Sequence, residues 1–149
     1  MTELLMCLAQ GGELEHSGHV YRFAQTTIEV MAAWEEWLTK LTYDRLVRVS
    51  GNPASALDSV GRLAASGALD FFSAESQRMM DLPNGLKRLC FIKVKACNPA
   101  VTEKEISDLV EANFEKMVLA RAAELQAAEN LRPNAESPAT TQAGQTTSL

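Results

Sequence analysis

The chain has 149 residues and a formal net charge of −5, from 14 basic and 19 acidic residues. This length suits one ordinary domain with a hydrophobic core, and the acidic balance argues against a nucleic-acid partner. Hydrophobic residues make up 46% of the chain, but no apolar run is long enough to span a bilayer, so we expect no membrane association.

A short apolar run at Leu4–Ala9 follows Glu3 rather than a basic residue. Secretory signal peptides start with basic residues and have a longer apolar region, so we expect a cytoplasmic protein. The three cysteines, Cys7, Cys90 and Cys97, are odd in number and widely spaced, which predicts reduced thiols.

Residues 13–23 (ELEHSGHVYRF) predict a small β-hairpin with a Ser-Gly turn. If Ser17 and Gly18 form the turn, Glu13 lies opposite Arg22 on the neighbouring strand. This opposite-charge pair stabilises the strand pairing. Ser-Gly is a weaker turn signal than Asn-Gly, so a one-residue slip or a bulge stays open. A lone hairpin is only marginally stable and must pack on helices. The face that would do so consists of Leu14, Tyr21 and Phe23.

A long amphipathic helix is predicted to follow the hairpin. Thr26 and Glu29 have the spacing of a capping box, in which each side chain satisfies a first-turn N–H group. The helix continues to Val49 or restarts at Thr42, and Gly51 is typical of a helix C-terminus.

Two further helices are predicted between this helix and the C-terminal part. Asn52-Pro53 has the residue types of an N-cap and a first helical residue, and the helix should end near Gly67. A short helix then begins near Asp70 or Ser73 and is broken at Leu82–Gly85. The apolar side of the first of the two is predicted to contain Leu57, Val60, Leu63 and Ala64.

Residues 83–121 predict a helical hairpin. Its first arm, Leu86–Cys97, has a broad apolar surface and is predicted to be the central helix of the bundle or a helix covered in an assembly. The link Asn98–Ala100 is short enough to make the two arms neighbours. Four residues make this arm basic, namely Lys87, Arg88, Lys93 and Lys95.

The second arm begins with a capping box formed by Thr102 and Glu105. Val101 and Ile106 have the spacing of a hydrophobic staple, which fixes the angle at which the chain enters the helix. The predicted core face of this arm consists of Ile106, Leu109, Val110, Phe114, Met117 and Val118.

These elements together predict a mainly α fold, with a small N-terminal β-hairpin packed on a bundle of about five helices that ends in a helical hairpin. Residues 1–131 are expected to form a single domain. Residues 132–149 (RPNAESPATTQAGQTTSL) have almost no apolar side chains and are expected to be a disordered tail.

No residue pattern in the chain is typical of an enzyme. Cys7, His16 and His19 could be imagined as zinc ligands, but a closed site needs four converging ligands and a hairpin turn explains both histidines. Cys90 and Cys97 lie seven residues apart on one helical face and are interpreted as small buried hydrophobes. We therefore expect no catalytic residue, no metal and no cofactor.

Four apolar residues are the candidates for partner binding. Trp34 and Trp37 lie on the apolar face of the long helix, where they belong to the core, the more frequent case, or anchor a partner. Phe91 and Ile92 are the part of Leu86–Cys97 that the bundle is expected to leave free.

Several short motifs occur in order between Gly12 and Met117. They are a strand pair turning at Gly, then Val-Tyr-Arg-Phe, a Thr-capped helix with Trp-Glu-Glu-Trp-Leu, Pro-Asn-Gly-Leu, and Asn-Pro-Ala-Val-Thr-Glu-Lys-Glu-Ile. In this order they resemble the small tail assembly chaperones of long-tailed bacteriophages.

The resemblance implies a non-enzymatic assembly factor of the host cytoplasm. Such a factor coats the tape measure protein and recruits tail tube subunits, and is lost from the finished tail. Self-association is left open. The alternatives are a structural head–tail component of the phage particle and a small helical regulatory or interaction protein.

Overall fold

The computed structural model describes residues 3–131, which form six helices and one two-stranded antiparallel sheet. The predicted class, mainly α with an N-terminal β-hairpin, is confirmed, with six helices in place of about five. The tail predicted to be disordered, residues 132–149, lies outside the described residues. The elements are α1 (Glu3–Gln10), β1 (Gly12–His16), β2 (His19–Phe23), α2 (Ile28–Ser50), α3 (Pro53–Ala65), α4 (Ala74–Met80), α5 (Pro83–Cys97) and α6 (Glu103–Asn130).

Helix α1 is the element that the sequence patterns did not predict. Its apolar run places Leu4 and Cys7 in the core. Eight residues are too few for a stable isolated helix, so packing against the rest of the protein must hold it. Gly11, with a φ of 77°, ends the helix, and its N–H donates to the carbonyl of Cys7 at 2.9 Å.

The hairpin has the predicted register, without a slip. Glu13 lies opposite Arg22, and the two side chains form an ion pair at 2.8 Å. Ser17 and Gly18 both have positive φ angles, 51° and 79°, as the turn of a tight two-residue hairpin requires. The face predicted to pack on the helices is buried and consists of Leu14, Tyr21 and Phe23.

Helix α2 begins one residue later than predicted. Thr27 is the N-cap, and its Oγ1 accepts a hydrogen bond from the N–H of Val30 at 3.3 Å. Thr26, predicted to be the cap, instead accepts a hydrogen bond from the ammonium group of Lys93. By local sequence, Thr26 and Thr27 are equally good candidates for the N-cap. The hydrogen bond from Lys93, which is distant in the sequence, engages Thr26 and leaves Thr27 as the cap. The helix continues without a restart and ends at Gly51, which has a φ of 66°.

Two helix starts agree with the sequence. Asn52 caps α3 by accepting hydrogen bonds from two first-turn N–H groups. Of the two starts considered for α4, Ser73 rather than Asp70 is the N-cap and accepts from the N–H of Ser76 at 3.1 Å. Pro83 does more than end the preceding helix, since it is the first residue of α5.

The buried side of α3 differs from the predicted one. Ala56 and Val60 are buried, whereas Leu57 is 66% exposed and Leu63 and Ala64 also lie at the surface. The predicted side and the observed buried side of α3 both include Val60, but the first uses Leu57 and the second Ala56. The sequence pattern did not distinguish these adjacent positions. Contact with α2 selects the side that carries the small Ala56.

Helix α5 is the central helix of the bundle, as the sequence favoured. It contributes Leu86, Cys90 and Val94 to a core cluster shared with α1, the hairpin and α6. It contributes Leu89 to a second cluster shared with α2, α3 and α4. Leu8 of α1 packs against both clusters and links them.

Lys93, one of the basic residues of α5, lies inside the protein rather than at its surface. The residue is 1% exposed, and its Nζ donates to the carbonyl of Leu8 at 2.6 Å and to Oγ1 of Thr26 at 2.9 Å. Leu8 is in the last turn of α1, where carbonyl groups lack intrahelical partners and favour a nearby cation. The backbone carbonyl of Lys93 accepts a hydrogen bond from the N–H of Ala24 at 3.1 Å.

The start of α6 is the predicted Thr102, but the capping box is modified. Oγ1 of Thr102 accepts from the N–H of Glu105 at 3.2 Å. The Glu105 carboxylate accepts from the Thr102 hydroxyl at 3.2 Å and from the Tyr21 hydroxyl at 3.3 Å, so it links the cap to the hairpin. Val101 and Ile106 lie in the same core cluster, as the hydrophobic staple predicts.

Gly85, in the first turn of α5, allows α4 and α5 to approach closely. A Cβ atom added there would overlap the carbonyl group of Met79. We expect Gly85→Ala to lower the free energy of unfolding by about 2 kcal/mol, because main chain must move to admit the methyl group. Urea unfolding followed by circular dichroism measures this change.

The matched control is Gly61→Ala in the interior of α3. A Cβ atom at Gly61 meets nothing within 4 Å, so alanine should raise the free energy of unfolding by about 0.5–1 kcal/mol. Equal effects of the two substitutions would contradict the close approach at Gly85.

Burial lowers the pKa of the Lys93 ammonium group. Between that lowered value and its ordinary value of 10.5, the unfolded chain holds more protons than the folded protein. The stability of the wild type relative to Lys93→Met should therefore rise with pH in this window. Unfolding of both proteins measured at several pH values checks this slope, and a stability difference that stays constant across the window would contradict it.

Candidate functional site

The two tryptophans of α2 have different environments. Trp34 has no exposed surface, and its Nε1 donates to Oγ of Ser76 at 3.1 Å. Its ring also contacts Phe71 edge-on, with ring centroids 6.4 Å apart. Trp34 is therefore a core residue, and its prediction as a partner-binding residue is wrong. Trp37 packs its ring 5.0 Å from that of Trp34 and stays half-buried at the surface.

Trp37, Phe91 and Ile92 line two adjoining cavities along α2 and α5, which are together called the groove. Three of the four predicted binding residues thus come together. The groove has two ends, with volumes of about 540 and 620 Å³, which share Trp37, Arg88, Phe91 and Glu103. The first end is completed by Leu41, Arg45, Asn84, Lys87, Lys104 and Ser107. The second end is completed by Glu29, Val30, Ala33, Glu36, Lys40, Ile92, Lys95 and Ala96.

Phe91 and Ile92 are not free of the bundle, which corrects the sequence expectation. Both are half-buried, and Phe91 packs against the first core cluster while Ile92 packs against the second. Each side chain therefore has one side in the core and another in the groove. Core packing holds these groove residues in place before any partner binds.

Arg88 organises the aromatic surface of the groove, a role that the sequence did not reveal. Its guanidinium carbon lies 5.8 Å from the ring centroid of Trp37 and 5.3 Å from that of Phe91. These distances allow cation–π interactions with both rings. The guanidinium also pairs with Glu103, the first residue of α6, at 3.1 Å. The Lys95 ammonium also lies 5.3 Å from the Phe91 ring centroid.

The first end of the groove is basic although the chain as a whole is acidic. Four cationic side chains and one carboxylate line it, whereas the second end has equal numbers of cationic and acidic side chains. Lys87 pairs with Glu111 at 2.7 Å, and the hydrogen bond holds the pKa of the Glu111 carboxyl below its usual range. Within residues 3–131, neither Arg45 nor Lys104 makes a close ion pair.

A second apolar surface follows the C-terminal half of α6. Phe114 and Met117 are half-buried against the core, as predicted, but Val118 is 51% exposed rather than part of the core face. Leu119 and Leu125 are each 63% exposed. This part of the helix lies beyond the residues of α6 that are buried in the body.

The cysteines and histidines do not form a common site. Residues 3–131 contain no group of three or more His, Cys, Asp or Glu side chains placed to hold a metal ion. Burial raises the pKa of Cys7, with a further contribution from the Glu3 charge, and raises the pKa of Cys90 to about 12. Cys97 is exposed, so its interpretation as a buried hydrophobe is wrong.

Comparison with protein-family models, curated proteins and solved structures finds no match to the chain. None of the helices in the described part of the chain has both the length and the apolar character needed to cross a membrane.

The environments of the cysteines predict their reactivity. The thiolate is the reactive form, so burial and a raised pKa protect Cys7 and Cys90 at neutral pH. A maleimide should modify one thiol rapidly in the folded protein, and Cys97→Ser should abolish that rapid phase. Mass spectrometry counts the modified residues, with the denatured chain as the control in which all three react. Rapid modification of a second thiol in the folded protein would contradict this structure.

Proposed function

We propose that this chain is a tail assembly chaperone of a long-tailed bacteriophage. In this role it binds the tape measure protein in the host cytoplasm through reversible protein contacts and recruits tail tube subunits. The observation that carries the proposal is the preformed groove between α2 and α5, in which Trp37 and Phe91 flank the guanidinium of Arg88.

The chemistry of this groove suits protein binding. Trp, Phe and Arg are enriched at the centres of protein interfaces, where they supply a large contact area with few rotatable bonds. Trp37 and Phe91 are partly covered by the core, so the groove of the free protein exposes only part of their apolar surface. This arrangement supports a protein that is stable alone and binds a partner reversibly.

The motifs that carry the resemblance to tail assembly chaperones have structural roles in this chain. Gly85 permits the close approach of α4 and α5, and Thr102 caps α6. Val101 and Ile106 belong to the core. The motif order thus supports a shared architecture, and the groove supports the binding activity.

Charge favours the same role. A chaperone must keep exposed apolar side chains without associating indiscriminately, and a net charge of −5 opposes such self-association. The exposed leucines on the C-terminal half of α6 add apolar surface, which makes this protection against self-association more necessary.

Co-expression tests the proposal. The chain should keep the tape measure protein of the same genome soluble and should co-purify with it. Phe91→Ala should weaken this binding by about tenfold, because truncating a central aromatic residue removes a major contact. Phe72→Ala is the matched control, since Phe72 is 74% exposed outside the groove and should be replaceable without loss. Circular dichroism checks that both variants fold.

The same experiment separates the alternatives. If the wild-type chain neither binds nor solubilises the tape measure protein, the chaperone proposal is wrong. Recovery of the chain in purified phage particles would favour a structural head–tail component instead.

A further inference from the structure

We infer that the groove between α2 and α5 accepts an acidic amphipathic helix, with its carboxylates at the Arg45 end. This inference deepens the proposed function by giving the chemistry of the segment bound at the same site. It rests on that function only for the identity of the protein that carries the segment.

The walls of the groove favour a helical occupant. Both walls are helices whose backbone N–H and C=O groups bond within the helix, so they offer no edge to an extended strand. An extended segment would bring its own unpaired backbone groups against the apolar floor at a large desolvation cost. A helix satisfies its backbone internally and can place a ridge of side chains between two helices.

The length of the groove sets the length of the segment. Its lining residues on α2 run from Glu29 to Arg45. Sixteen helical steps of 1.5 Å give about 24 Å, so a segment of about 16 residues, between four and five turns, fills the groove.

The centre of the groove requires apolar side chains from the segment. Trp37 and Phe91 present ring surface on either side of Arg88, whose charge is already engaged by Glu103 and by both rings. A bound helix would contact these rings with apolar residues at spacings of three and four, which line one face.

The basic end determines the sign of the charge on the segment. Arg45 and Lys104 are exposed and form none of the close ion pairs within residues 3–131, although the chain has a net charge of −5. Arg78 and, to a smaller extent, Arg45 lower the pKa of the Glu75 carboxyl, so Glu75 is the acidic group with which a bound carboxylate would compete for Arg45. Carboxylates of a bound helix can pair with both cations. A basic helix would place like charges together, which opposes binding.

An unbiased peptide selection tests this inference without assuming the partner. A yeast-displayed library of random peptides of about 18 residues, the groove length with a short margin, is selected on the wild-type protein. Enriched peptides should have net negative charge and apolar residues at helical spacing. Raising the salt concentration should weaken their binding, because part of the attraction is between exposed charges.

Two matched double variants locate the binding site of the enriched peptides. Arg45→Glu with Lys104→Glu should weaken binding by about tenfold or more, because two attractive contacts become repulsive. Arg48→Glu with Lys116→Glu makes the same change in net charge at exposed positions on the same two helices, outside the groove. This control pair should leave binding within about twofold of the wild type.

Several outcomes would overturn the inference. These are the absence of enrichment, enrichment of neutral or basic peptides, and equal weakening by both double variants. A DNA oligonucleotide that binds the wild type but not the groove variant would also overturn it, by assigning the basic end to phosphate.

If acidic helices are enriched but the tape measure protein does not bind, the proposed function fails and the groove assignment stands. If the tape measure protein binds but the enriched peptides do not distinguish the two double variants, the groove assignment fails and the proposed function stands.

Discussion

The buried ammonium group of Lys93 connects the N-terminal third of the chain to the central helix. Its Nζ donates to the last turn of α1 at Leu8 and to the segment before α2 at Thr26. The backbone of the same residue accepts from Ala24, just after the hairpin. A buried cation without a carboxylate partner is costly, and these oxygen acceptors offset part of that cost. One residue of α5 thus holds two N-terminal segments, the end of α1 through its side chain and the link between β2 and α2 through both its side chain and its backbone.

This interaction also fixes the rotation of α5 about its axis. With about 100° between successive helical residues, the inward position of Lys93 places Arg88, Phe91 and Lys95 on the opposite side of the helix. Those three residues belong to the α5 wall of the groove, where the Arg88 guanidinium meets the ring of Trp37. The candidate binding surface is therefore a geometric consequence of the way the core is closed.

Part of the groove could be predicted from the sequence. Helical periodicity identified Trp37, Phe91 and Ile92 as apolar residues near a surface, but it could not separate buried Trp34 from half-exposed Trp37. The sequence pattern identified Arg88 only as one of the basic residues of its helix. Its spacing of three from Phe91 is nevertheless a local signal that a cation lies beside an aromatic ring. Lys93 also had a signal, because it falls within the apolar stripe of α5 that Cys90 and Val94 continue.

The sequence by itself determined the presence of the hairpin and its favoured register, the caps Asn52 and Thr102 and the mainly helical class. Each of these depends on residues a few positions apart, so local patterns contain the necessary information. Only the tertiary structure decided the burial of Lys93 and the side of α3 that packs. It also decided the role of α1, whose carbonyl at Leu8 bonds a lysine 85 residues away. In each of these cases the local sequence favours two arrangements equally, and the packing of distant segments makes one of them lower in free energy.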